Sequence, residues 1–224
     1  PNTFQQIGSG NTSDAEFIVN TSIYPVGDRA MSNEVENIEV PSLPRILNEK
    51  NYYTATFHTN DITFWNRDEL YDSLGFKKAY DKTYFGTEDY LAFGASDEVL
   101  FKKSLEVIKE KSLNGNIYAH IITMSNHHPF NLPKEKNELI LPDELKNTDL
   151  GRYLSSVNYS DRALGEFVEN MKEQGLWEES LVVIYGDHFG LKFEGSNTLF
   201  KKYFEYTPNE IDVYNVPFLM KLPN

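Results

Sequence analysis

The chain has no cysteine, which removes disulfides, thiolate metal sites and cysteine nucleophiles from consideration. Positive charge is also scarce: 21 Lys and Arg stand against 34 Asp and Glu, for a net charge of -13. A surface of that sign repels a nucleic-acid backbone, so nucleic acid is not expected as a partner and any phosphate site needs cations of its own. There is no long apolar span, no signal peptide and no repeat of solenoid length, and the chain opens on Pro1. The sequence reads as one piece of something longer, with its 224 residues forming a single partial domain over 1–224. An absence of cysteine also fits a protein that works outside the cytoplasm.

What is present alternates between two periods. Short apolar runs at Tyr53 to Phe57, Ile117 to Met124 and Leu181 to Tyr185 read as strands, the last of them buried. Each follows a stretch with helical spacing: Ser42 to Lys50, Ser96 to Ser112 and Leu154 to Gly175. Helix and strand in alternation predict an α/β fold with a mainly parallel central sheet flanked by helices. In such sheets ligands bind beyond the carboxyl ends of the strands. His58, His127, His128 and His188 lie past those ends or close to them, whereas His120 falls inside a strand and reads as a core residue. Gly27 to Val40 and Asn131 to Thr148 are polar loops, read as solvated surface that could also flank a site. Phe193 to Asp212 reads as irregular, and Val216 to Met220 as a last short strand.

Two motifs carry chemistry. Gly10-Asn11-Thr12-Ser13-Asp14 places a hydroxyl at a turn entering a helix over Ser13 to Ile23, and Tyr185-Gly186-Asp187-His188 places a carboxylate and an imidazole at a strand end. These are the parts needed to hold a divalent metal ion over a nucleophile, which points to phosphoryl transfer. A threonine at that place is equally a helix N-cap, and an Asp-His pair after a strand is equally a structural turn.

The motifs recur with others in a recognisable order. Gly8 to Phe17, Phe57-His58, Phe64-Trp65-Asn66-Arg67-Asp68, Ser125-Asn126-His127-His128-Pro129-Phe130 and Ile184 to Gly190 together resemble the extracellular catalytic domain of lipoteichoic acid synthases. These belong to the sulfatase-like branch of the alkaline phosphatase superfamily. The resemblance covers nearly the whole chain, including Val216-Pro217-Phe218.

The resemblance implies a nucleophile and metal ligand at Thr12, further ligands at Asp187 and His188, and manganese as the usual metal, with magnesium or another divalent ion as alternatives. It implies substrate-binding roles for His58, Trp65, Arg67 and His127. Arg67 would fork two phosphodiester oxygens, unless it pairs with Asp68 or Glu69. Trp65 would wall a glycerol pocket, unless it is packed in the core. His58 and His127 would donate to phosphate oxygens or shuttle a proton.

The activity implied is a phosphoglycerol transferase that takes glycerol phosphate from phosphatidylglycerol through a phospho-threonine intermediate. The acceptor would be a glycerol-phosphate polymer or a glycolipid. The location implied is the extracellular face of a bacterial cell membrane, with anchoring by transmembrane segments outside this chain. The family's fourth metal ligand, a glutamate on the strand before the nucleophile, also lies outside it. Asn11 stands where relatives often carry lysine, and Asn60 where some carry an acidic residue. True sulfatases need a Cys or Ser nucleophile with a Pro and Arg signature, which Thr12-Ser13-Asp14-Ala15-Glu16 does not supply. A phosphoethanolamine transferase or phosphodiesterase of the same superfamily, or a teichoic-acid-binding relative without turnover, remain the alternatives.

Overall fold

Local hydrogen bonding decides where most of the helices begin. The computed structural model describes residues 3–192 and 195–224. A short β1 (Thr3–Phe4) leads through a glycine-rich turn into α1 (Thr12–Thr21). α2 (Leu43–Glu49) starts after Ser42, whose side chain accepts from the Arg45 amide, with Pro44 in the first turn where a missing N–H costs nothing. β2 (Tyr53–His58) follows, then α3 (Arg67–Leu74), β3 (Lys78–Tyr80) and α4 (Lys82–Phe85), the last capped by Asp81. β4 (Tyr90–Leu91) and β5 (Gly94–Ala95) form a hairpin, and Ser96 caps α5 (Asp97–Ser112). β6 (Ile117–Ile122), α6 (Asp149–Glu173), β7 (Val182–Tyr185), α7 (Asn197–Phe204), β8 (Asn215–Val216) and β9 (Phe218–Lys221) complete the order.

β2 lies between β3 and β6, and both ladders are parallel. The register runs from Tyr53 opposite Ile117 to His58 opposite Ile122, so the two strands end together. β2 is buried on both faces, as expected of a strand in a covered parallel sheet. Ala55 and Phe57 share a core with Leu100 and Val107 of α5. Phe101, Leu105 and Ile108 of α5 pack with Ala163, Phe167 and Met171 of α6.

Several elements depart from the sequence reading. Among the described residues β7 does not join the parallel ladder; it pairs antiparallel with β9, Tyr185 opposite Phe218. It is half-exposed and not buried, because its ladder has two strands only. Side chains tie it to β6, with His120 Nε2 at 3.1 Å from the Tyr185 hydroxyl. α6 begins at Asp149, ahead of Leu154, because the Thr148 hydroxyl accepts from the Gly151 amide and starts the helix a turn early.

The stretch read as irregular holds α7, while Phe193 and Glu194 within it lie outside the described residues. The terminal strand is two elements, β8 and β9, since Pro217 lacks the N–H that would continue one ladder. Gly27 to Val40 is not all solvated surface: Met31, Val35 and Val40 are buried against Phe17, Leu70 and Leu74. No helix among the described residues is long and apolar enough to cross a membrane.

Candidate active site

The turn before α1 is organised by one buried carboxylate. Asp14 Oδ2 accepts from the amides of Gly8 at 2.9 Å and Gly10 at 3.0 Å, and Oδ1 accepts from the Met31 amide at 3.0 Å. Gly10 must be glycine, since a Cβ there would lie 2.1 Å from Asp14 Oδ1. Asn11 then takes φ 46° and ψ -117°, and the Ser13 amide closes onto the Gly10 carbonyl at 3.0 Å, a tight turn of type II′. Thr12 is the first residue of α1 and half-buried; the cap position falls to Asn11, which makes no side-chain cap bond. The amide end of α1 is therefore left without a side-chain acceptor, an arrangement that suits an incoming anion.

Arg67 reaches the same helix from the other side. Trp65 and Asn66 both take left-handed backbone, φ 58° and 48°, and Asn66 donates to Asn33 Oδ1 at 2.8 Å. That reversal delivers Arg67 as the first residue of α3, with its side chain inward and only 3% exposed. Its partner is neither Asp68 nor Glu69. Arg67 Nε donates to Glu16 Oε1 at 2.9 Å, the Tyr71 hydroxyl donates to Glu16 Oε2 at 2.7 Å, and Arg67 Nη1 donates to the Phe64 carbonyl at 3.4 Å. Burial opposes ionisation of Glu16, yet Arg67, then His120 and His58, and the Tyr71 hydrogen bond together hold its carboxyl below the usual range. Trp65 is half-buried, with its ring centre 5.7 Å from Arg67 Cζ and 5.4 Å from the Phe64 ring. It is a wall beside the guanidinium and not a core residue.

The two histidines arrive on different supports. His58 ends β2, buried, with Nδ1 donating to the Ile122 carbonyl at 3.0 Å. A carbonyl only accepts, so the proton sits on Nδ1 and Nε2 keeps its lone pair. Burial first, and the Arg67 charge second, push the imidazole down to about 4, so the ring is neutral near pH 7. His127 stands on the loop after β6, whose backbone is fixed by Asp97. The amides of Met124 and Ser125 donate to Asp97 Oδ1 at 2.8 and 3.0 Å.

His127 is exposed, donates from Nδ1 to the His128 carbonyl at 2.7 Å, and meets the Phe93 ring edge-on at 5.0 Å. Phe93 belongs to the β4–β5 hairpin, which closes on the residue after His58: a Cβ on Gly94 would lie 2.4 Å from Thr59 Oγ1. His120 is buried as the sequence suggested; its Nε2 meets the Tyr185 hydroxyl, and its Nδ1 has no hydrogen-bond partner among the described residues. His128 is exposed.

Asp187 and His188 follow β7 directly. His188 Nδ1 donates to the Phe189 carbonyl at 2.7 Å, which fixes the tautomer and leaves Nε2 as the basic nitrogen, 3.5 Å from Asp187 Oδ2. A carboxylate oxygen and an imidazole nitrogen so placed fit the donor set of manganese or a similar divalent ion. Among the described residues no three His, Cys, Asp or Glu side chains converge as a metal cage.

Asp187 lies within electrostatic range of His58, and His58 and Glu16 within range of Arg67. The structure thus draws His58, Arg67, Trp65 and Asp187 into one group. Thr12 lies one turn before Glu16 on the same face of α1. No hydrogen bond or ion pair among the described residues links Thr12 to Asp187 or His188 directly.

The sequence reading did not single out Glu16, Tyr71, Asp97 or Phe93. The spacing of Glu16 from Thr12 marks a shared helix face, but nothing local marks Arg67 as its partner across 51 residues.

The sulfatase family model matches residues 2–224. The chain is 36% identical to the lipoteichoic acid synthase of Staphylococcus aureus strain USA300, covering 100% of this chain and 35% of that protein. It is 35% identical to the lipoteichoic acid synthase-like YvgJ of Bacillus subtilis strain 168, covering 98% of this chain and 36% of that one. The chain therefore spans about a third of the length of these relatives. The crystal structure of the lipoteichoic acid synthase LtaP from Listeria monocytogenes matches with a TM-score of 0.93 and 43% identity, over 98% of this chain and 55% of that one. The Streptococcus pyogenes phosphoglycerol transferase GacH, solved with sn-glycerol-1-phosphate, shares the fold at a TM-score of 0.69 and 18% identity, over 98% of this chain and 58% of that one. The α/β architecture expected from the sequence is the one these structures have, and with its family model matched from residue 2 to residue 224 the chain belongs to the sulfatase family.

Proposed function

We propose that this chain carries the active site of a phosphoglycerol transferase, which moves glycerol phosphate from phosphatidylglycerol to a growing glycerol-phosphate polymer or a glycolipid in lipoteichoic acid synthesis. The observation that carries the reading is Arg67, a cation buried within an acidic chain, paired with Glu16 of the helix that Thr12 begins and within range of His58, which in turn lies within range of Asp187. Likeness to lipoteichoic acid synthases supports the choice of substrate class. A lipid donor requires the site to meet a membrane surface, on the extracellular side in this reading.

Thr12, Asp187 and His188 would hold a manganese or other divalent ion, whose charge acidifies the threonine hydroxyl and offsets that of the phosphate. Thr12 Oγ attacks the phosphorus of the headgroup. The bond to Thr12 forms, the bond to the diacylglycerol oxygen breaks, and the leaving alcohol takes up a proton. Arg67 holds phosphoryl oxygens while Trp65 bounds the glycerol.

His58, neutral and with Nε2 unprotonated, accepts a hydrogen bond or a proton before it can give one. His127, exposed at the rim, is placed to exchange protons with solvent. In the second step an acceptor hydroxyl displaces Thr12 and restores its proton. The test follows diacylglycerol release from phosphatidylglycerol by the full-length protein with manganese, and seeks a mass increase of one glycerol phosphate on the peptide containing Thr12. Release that persists at the wild-type rate in Thr12→Ala would refute the covalent route, and absence of release by the wild type would refute the function.

A further inference from the structure

A buried residue outside the expected site governs how the Arg67 cation is held, and its role rests on the reading of Arg67 as the phosphate-binding group of a phosphoglycerol transferase. We propose that Glu16 is a positioning residue: it fixes the Arg67 guanidinium against the helix of Thr12, so that one helix sets both the nucleophile and the group that receives the phosphate.

Glu16 is 2% exposed and lies four residues after Thr12, about 6 Å further along the same face of α1. A carboxylate facing an arginine commonly closes a two-bonded fork on it. Here that fork does not form. Oε1 takes Arg67 Nε at 2.9 Å, whereas Oε2 is occupied by the Tyr71 hydroxyl at 2.7 Å. Tyr71 stands four residues after Arg67 on α3, so arginine and tyrosine reach the same carboxylate from one helix face.

The pair is therefore side-on, through Nε alone, and Glu16 does not cover the terminal edge of the guanidinium. Nη1 makes only a long contact, 3.4 Å, to the Phe64 carbonyl. The Trp65 ring, 5.7 Å away, limits swing of the group to one side. A guanidinium neutralised and held at Nε keeps its terminal nitrogens out of the Glu16 pair, and those are the groups that would fork two oxygens of a phosphodiester. Without Tyr71, Glu16 would be free to close on both nitrogens and compete with substrate for that edge.

The experiment uses full-length, manganese-loaded protein and isothermal titration with glycerol 1-phosphate, alongside manganese titration and thermal unfolding. Tyr71→Phe removes one hydroxyl. It is expected to weaken glycerol 1-phosphate binding several-fold while melting temperature and manganese affinity hold. Glu16→Gln is expected to weaken it about tenfold or more. In an Arg67→Ala background, neither substitution should weaken it further.

Unchanged affinity in Tyr71→Phe would overturn the proposal, and that variant decides the matter if Glu16→Gln does not fold. Equal losses with and without Arg67 would also overturn it, since Glu16 would then act by another route. A wild type that bound neither glycerol 1-phosphate nor inorganic phosphate would leave Arg67 no anion to receive and would do the same. Failure of the transferase reading alone looks different: phosphate binding and its dependence on Glu16 persist, and phosphatidylglycerol is not turned over.

Discussion

Asp97 and Ser125 hold each other in both directions: the Ser125 amide donates to Asp97 Oδ1 at 3.0 Å, and the Asp97 amide donates to Ser125 Oγ at 2.9 Å. The Met124 amide shares Oδ1 at 2.8 Å. The first residue of α5 thereby clamps the segment that leads to His127, and burial raises the Asp97 carboxyl above the usual range.

Both amides use one oxygen, so Asp97→Asn keeps their acceptor and removes a buried charge. Its unfolding free energy in urea is expected to stay within about 1 kcal/mol of wild type. Asp97→Ala strands two buried amides and is expected to lose on the order of 2–4 kcal/mol. Equal losses in the two variants would show that charge, and not hydrogen-bond acceptance, holds the loop.

Stability should fall in mild acid. His58 is held down to about 4 against an ordinary 6.5, so between those values the unfolded chain binds a proton that the folded chain refuses. The sign is a loss as pH drops through that window, reaching about 3 kcal/mol near its lower end. His120, also lowered by burial, acts in the same direction below 6.5. Glu16, held low, gives up its contribution only below its ordinary 4.5. Denaturant titrations from pH 7.5 downward check this, and His58→Gln should flatten the slope.

Thr12→Ala is expected to abolish diacylglycerol release by the full-length protein while changing folding stability by less than about 1 kcal/mol. The small change follows from the position, since Asn11 and not Thr12 occupies the helix cap. A large loss of stability in that variant would mean the hydroxyl has a structural duty.

Arg67→Ala should cost more than turnover. Removing the guanidinium leaves Glu16 charged, buried and without its ion pair, a change worth roughly 3–5 kcal/mol. Manganese affinity is expected to hold, because Arg67 belongs to the phosphate side of the site. Adding Glu16→Gln to Arg67→Ala should recover part of the melting temperature and none of the activity.

Some of the fold was legible in the residues and some was not. β2 and β6 could be read because buried parallel strands are short apolar runs, and the caps at Ser42 and Ser96 announce α2 and α5. The pairing of β7 with β9 could not, because an apolar run does not say which neighbour it will find. Thr148 does not announce α6, since the apolar spacing of the helix starts only with later residues, while its first turn is made by a cap. At the site, Thr12, Arg67 and the histidines carried chemistry visible in a string of letters. The partners that aim them, Glu16 for Arg67 and Asp97 for the His127 loop, belong to a chain with 34 acids and are distinguished only by being buried. Burial of a charge is a tertiary property, set by what packs over it.

The turn at Asn11 has a cost that the fold must carry. Its φ of 46° and ψ of -117° fall where glycine is at ease and a side chain is strained, by an amount on the order of 1–3 kcal/mol. Asn11→Gly should relieve part of that and raise the melting temperature by about 2–4 °C for each kcal/mol recovered. A chain optimised only for heat resistance would be expected to drift toward glycine at this position beside Thr12.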